Sequence, residues 1–146
     1  MFKLFGLLVV ANVVVAQGCG GIPASEVNEF LSVHNKLRSS ISAGTYVAKG
    51  KQMPPPRTPI PNMTWDCALE QSGQAVANKC VFEHSTDRNN IGENISMIKS
   101  NFPVTIEGQT NMVSTAWENE FQEYGWASTQ LTIDVFNTGI GHATQV

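Results

Sequence analysis

The sequence contains no run of lysine and arginine, no internal repeat and no low-complexity tract. With nine basic against twelve acidic side chains in 146 residues, it lacks the positive surface that non-specific nucleic-acid binding requires. Only 14% of residues are charged while 42% are hydrophobic, a composition that excludes a disordered tail and suits one globular domain. Several enzyme signatures are also missing. There is no G-x-S-x-G elbow, no H-E-x-x-H pair, no phosphate-binding loop and no dinucleotide fingerprint. Histidine and cysteine are scarce, with three of each.

Long apolar runs are confined to the start, MFKLFGLLVVANVVVA. Lys3 supplies a short positive region, residues 5–15 are mostly apolar, and small or modest residues lead up to Ala16. This is the pattern of a secretory signal peptide, residues 1–16, cut after Ala16; the run is too short to span a bilayer. No later segment is long and apolar enough to form an integral membrane span. Removing Lys3 takes the formal net charge from −3 to −4. Residues 17–146 are then a secreted, extracellular domain. Its cysteines are Cys19, Cys67 and Cys80, an odd number in a compartment that favours disulfides.

Three helices are predicted. In PASEVNEFLSVHNKLRSSI, Ser25 is a suitable N-cap, with Glu26 and Glu29 near the positive end of the dipole. Val27, Phe30, Leu31, His34, Leu37 and Ile41 recur at helical steps, and Gly44 ends the segment. Residues 44–64 hold five prolines and read as a surface loop. WDCALEQSGQAVANKC is the second helix, capped by Asp66, with Trp65, Leu69, Ser72 and Val76 in phase. If it runs unbroken to Cys80, Cys67 and Cys80 stand roughly 20 Å apart along its axis. A disulfide tolerates only about 7 Å between Cα atoms. These two cannot pair with each other, and Cys19 is the partner left within the chain for either.

The third helix, MVSTAWENEFQEYGW, carries Val113, Ala116, Trp117, Phe121 and Tyr124 on one face. Residues 131–138 fit a short strand or an irregular connection, and residues 91–98 an extended segment. Helices with strands between them indicate an α/β or α+β layered domain.

The chemistry rests on few side chains. His34 lies on the apolar stripe of the first helix and reads as a core histidine bonded to backbone. His84 follows the second helix. His142 stands among glycines, which permit close backbone approach. Two such histidines suit a divalent cation. Glu120 shares the face of Trp117 and Tyr124, where a carboxylate needs either a partner or an opening. Asn62-Met63-Thr64 is a glycosylation sequon in the proline-rich loop, and Asn94-Ile95-Ser96 is a second, set within a motif and expected to be buried.

Five segments in order, FLSVHNKLRS, MTWDCALEQSGQAVANKCVFEHS, IGENIS, AWENEF and GHATQV, resemble the CAP superfamily (SCP/TAPS domains), and most of all its nematode venom-allergen-like and activation-associated secreted members. The resemblance covers about residues 19–146. It implies a three-layer α-β-α sandwich with a central cleft, lacking its last core strand or strands, since the family's chain continues beyond the position of Val146. It implies a tetrad of His84, Glu93, Glu120 and His142, with His84 and His142 as ligands of zinc or a similar cation. It also implies a Cys19–Cys67 disulfide, with Cys80 paired in the segment beyond. The family has no agreed enzymatic activity, and its members are associated with sterol or fatty-acid binding, immune modulation and blocking of receptors. The expectation is therefore a non-enzymatic extracellular protein whose partner is a protein receptor or a small lipid. A metal-dependent hydrolase with Glu93 or Glu120 as general base is a second reading. A lipid carrier whose groove uses Tyr124, Trp126 and Phe136 is a third.

Overall fold

The computed structural model describes residues 18–88, 90–126, 128 and 130–146; the leader read at residues 1–16 lies outside the described residues. The elements in chain order are α1 (Ala24–Ser42), β1 (Val47–Ala48), β2 (Lys51–Gln52), α2 (Cys67–Ala77), α3 (Gln109–Tyr124) and α4 (Ile133–Phe136), followed by a 3-10 turn at Ala143–Gln145. Helices around a small sheet put the chain in the expected α/β class. Among the described residues the sheet is an antiparallel pair, Val47 opposite Gln52 and Ala48 opposite Lys51. No helix among them is long and apolar enough to cross a membrane.

Helix α1 starts two residues earlier than its sequence suggests. Pro23 is the N-cap, and its carbonyl accepts from Glu26 and Val27, so Ser25 lies within the first turn and caps nothing. Proline has its φ already set near the helical value, which favours it at a helix start. At the other end Ala43 is the C-cap and Gly44 adopts φ 66°, the left-handed residue that commonly follows a helix. Val27, His34 and Leu37 are buried on the face that the periodicity marks.

The proline-rich loop contains a hairpin that its composition hides. Lys49 and Gly50, at φ 46° and 75°, form its two-residue turn, since two left-handed residues match the twist of paired strands. Tyr46, Ala48 and Met53 point inward from this segment. They join Leu37, Phe121, Val135, Ile140, Ala143 and Val146 in the core, with Ile41, Trp117 and Trp126 packed against it. Truncating a ring such as Phe121 in this setting costs about 3–5 kcal/mol.

Helices α1 and α3 pack together and run in the same sense. Asn111 Nδ2 donates to Glu29 near their starts, and Gln122 reaches the Tyr46 hydroxyl just past the end of α1. The buried face of α3 is not the full stripe expected. Phe121 is buried and Val113 and Trp117 are half-buried, but Ala116 and Tyr124 are exposed, and Ser114 is fully enclosed in their place.

Helix α2 departs furthest from expectation. Asp66 caps it as predicted, accepting from the Ala68 and Leu69 amides, yet no residue of the helix is buried. It also stops at Ala77, with the chain leaving through tight turns to Cys80 at φ 50°. Tethering takes the place of packing. A disulfide joins Cys67 to Cys19, and Glu70 accepts from the Cys19 and Gly21 amides and from Trp65 Nε1 at 2.6–3.0 Å. Leu69 and Val76 line an open cavity of about 590 Å³ rather than a filled core. Residues 131–138, expected as strand or irregular, hold α4, capped by the Thr132 hydroxyl. Residues 91–98 form no regular element.

Candidate functional site

Two histidine–glutamate pairs define the site. In the first, His84 Nδ1 lies 2.7 Å from Glu93 Oε1. Ser85 completes the grip, its backbone amide on Glu93 Oε1 at 3.0 Å and its hydroxyl on Oε2 at 2.6 Å. In the second, His142 Nδ1 lies 2.6 Å from Glu120 Oε1, and the Ala143 amide donates to Oε2 at 3.0 Å. The two pairs share one design. Each carboxylate holds a histidine ring and the backbone N–H that follows it.

The consequence is chemical. An ionised carboxylate only accepts, so each Nδ1 carries a proton, and in the neutral ring the lone pair is then on Nε2. A carboxylate on the far nitrogen is the arrangement that orients and strengthens a metal-binding imidazole. The histidines are the more exposed members, at 46% for His84 and 37% for His142, while Glu93 and Glu120 stand at 16% and 18%. The carboxylates are thus fixed supports, and the rings are available to a ligand. Burial raises the Glu93 carboxyl, but the bonds from the Ser85 hydroxyl, His84 and the Ser85 amide outweigh it and hold the group down at about 2. Trp117 lies parallel to the His142 ring, 6° off and 6.0 Å between centroids.

Two imidazole nitrogens are donors of the type that a divalent cation takes. Among the described residues no three His, Cys, Asp or Glu side chains gather as a metal-binding group, so a closed four-ligand site is not built. The sequence names all four members of the tetrad, and the structure brings them into two bonded pairs. Four neighbours escape a reading of the sequence: Ser85, Asn94, Trp117 and Gln145. Asn94 Nδ2 donates to the His142 carbonyl at 2.9 Å and joins the two halves. The adjacency of Ser85 to His84 and of Asn94 to Glu93 is the signal that points to the first two.

Other expected residues fall elsewhere. His34 is 2% exposed, bonded through Nδ1 to the Phe30 carbonyl at 2.9 Å and stacked on the Phe30 ring, a core residue as its periodicity suggests. Cys80 is free and exposed. Tyr124 and Phe136 are not among the residues that line the described cavity beside Trp126. Their rings instead cover Gly139 and Gly141, the residues leading into His142. Trp126 lines a separate cavity of about 730 Å³ with Ile41, Met53, Ile60 and Leu131.

Comparison with known proteins gives a consistent picture. The model of the CAP family, described as the cysteine-rich secretory protein family, matches residues 31–146. The chain is 30% identical over 132 residues to venom allergen 3 of Solenopsis invicta, covering 86% of this chain and 56% of that protein. It is 35% identical over 135 residues to the Ancylostoma secreted protein of Ancylostoma caninum, covering 86% of this chain and 31% of that one. The chain thus spans about half or less of the length of these relatives. Among solved structures it resembles NaASP2 with Zn2+, at a TM-score of 0.76 and 32% identity over 86% of this chain and 67% of that one. It also resembles BmVAL-1, at 0.73 and 30% over 87% and 65%.

Proposed function

The chain belongs to the cysteine-rich secretory protein (CAP) family, and from that premise we propose that it is a secreted, extracellular binding protein whose His84 and His142 together hold a divalent cation. One observation carries this reading: each histidine has its Nδ1 fixed by a buried-side carboxylate, which leaves both Nε2 atoms as ligands. Zinc is the natural choice for two imidazoles with open positions, and the structure of NaASP2 with Zn2+ supports it by analogy. With the carboxylates spent on supporting the rings, neither Glu93 nor Glu120 is free to act as a general base, which favours binding over hydrolysis. Zinc titration of the wild-type protein, His84→Ala and His142→Ala tests the site. One zinc bound by the wild type and lost in either variant is expected; unchanged binding in both would sink the assignment. Peptide or ester turnover that vanishes in Glu93→Gln would restore the hydrolase reading.

A second reading is lipid carriage, favoured by the apolar cavity under Trp126. Its volume of about 730 Å³ lies in the range of small-molecule sites, and Arg38 and Arg57 add positive charge to its lining. Saturable uptake of palmitate that is weakened by Leu131→Glu would support it, and no saturable uptake would count against it.

A further inference from the structure

We propose that Asn94 is a positioning residue that locks the two histidine–glutamate pairs into one metal site, by donating Nδ2 to the His142 carbonyl. This rests on the two-histidine reading above.

The halves have unequal foundations. The His142 half stands on the core. Glu120 belongs to α3, and Ile140 and Ala143 on either side of His142 are buried. The His84 half follows α2, which buries none of its residues and leaves an open cavity between itself and the 85–94 segment. Bonds within each half cannot set the distance between them. Among the described residues two contacts do, and they flank Glu93 in sequence. After it, Asn94 reaches the His142 carbonyl at 2.9 Å. Before it, Gly92 lies so close to Gln145 that a β-carbon at Gly92 would collide with the Gln145 side-chain oxygen. The segment carrying Glu93, and through it His84, is thereby clasped to the turn that carries His142.

The chemistry requires a hydrogen-bond donor at this position. The acceptor is a backbone carbonyl, so the partner must donate, and the isosteric aspartate offers only acceptors. Zinc–nitrogen bonds of about 2.0–2.1 Å leave little tolerance in the separation of two imidazoles. A pair held in register binds as a chelate, and a pair that drifts binds as two weak single ligands, because the gain from joining two sites disappears when geometry forbids engaging both. Loss of an outer-shell partner typically weakens metal binding about 10–100-fold.

The test is zinc titration of the wild type, Asn94→Asp and Asn94→Asp/His84→Ala, with thermal unfolding and histidine ring 15N spectra of each. We expect Asn94→Asp to bind zinc about 10–100-fold more weakly while both rings keep Nδ1–H. His84→Ala should then cost little more in the Asn94→Asp background, because His84 no longer shares the ion. Equal zinc affinity in wild type and Asn94→Asp would overturn the proposal. If the wild type takes up no zinc, the metal reading fails by itself, and the clasp is decided in the metal-free protein. A shifted His142 ring signal in Asn94→Asp supports it, and an unchanged one overturns it. If Asn94→Asp does not fold, Gln145→Ala loosens the same joint from the other side and is read by the same criteria.

Discussion

The ring of Tyr124 closes over Gly139, leaving no room for a β-carbon: three of its ring carbons would lie within 2.9–3.0 Å of one. Gly139 also has φ 110°, a conformation that other residues adopt only under strain. Two penalties therefore meet at a residue three positions before His142. Gly139→Ala is expected to lower stability by about 1–3 kcal/mol and to weaken zinc binding through His142. Gly50→Ala is the matched control, because Gly50 has φ 75° but nothing within 4 Å of its missing β-carbon. Denaturant midpoints compare the two. A loss at Gly139 no larger than at Gly50 would show that the Tyr124 ring gives way.

The Cys19–Cys67 bond fastens the segment ahead of α1 to the first residue of α2 across a separation of 48 residues. Closing a loop of that length is worth about 4 kcal/mol on the chain-entropy account. The paired Cys19→Ala/Cys67→Ala variant should lose stability on that scale, measured by chemical unfolding under non-reducing conditions. Glu70 offers a local readout. Its carboxyl lies below the usual range, chiefly because the Cys19 amide donates to it and with the help of Trp65. In the variant that carboxyl should titrate closer to its ordinary value, and an unmoved Glu70 would mean that the Cys19–Gly21 segment stays docked without the bridge.

The two sequons should behave differently. Asn62 is exposed in the proline-rich segment, so a glycan there meets solvent. Asn94 is half-buried and its Nδ2, the atom a glycan would occupy, is bonded to the His142 carbonyl. Protein secreted from eukaryotic cells should carry one glycan, abolished by Asn62→Gln and unaffected by Asn94→Gln. Glycopeptide mass spectrometry that finds Asn94 occupied would show that a folded site with the clasp closed is not what those cells release.

The parts of the fold that are legible in the sequence are those governed by local rules. Helical phase finds α1 and α3 and places His34 in the core, and the Asp66 cap marks the start of α2. Long-range packing is what the sequence hides. The phase of Leu69 and Val76 predicts a buried face, but a helix tethered by a disulfide and by Glu70 keeps its place without burying it. The hairpin is masked because prolines surround it and because lysine at the first turn position is an unusual left-handed residue. For the site, motif order yields four residues but not their partners. That Asn94 spans the two halves depends on where the 140–145 segment returns, which no local pattern encodes.

Acidification should destabilise the fold through His34 before any carboxylate is touched. Burial lowers this histidine below its usual 6.5; the Phe30 carbonyl bond opposes the shift and the charge of Arg38 adds to it. The unfolded chain therefore takes up the proton first. Stability contributed by neutral His34 is complete above pH 6.5 and drains away as pH falls from there toward the lower folded value, by at most about 1.4 kcal/mol per pH unit. Glu93 has the same sign but a separate window, from about 4.5 down to about 2. Unfolding midpoints of the wild type and His34→Gln between pH 5 and 8 isolate the first window, since glutamine fills much of the space without titrating. The wild-type curve should fall more steeply on the acid side, and the difference between the curves should level off above pH 7. Parallel curves would mean that the His34 ring accepts its proton in place, and that the space between Phe30 and Arg38 solvates a charge.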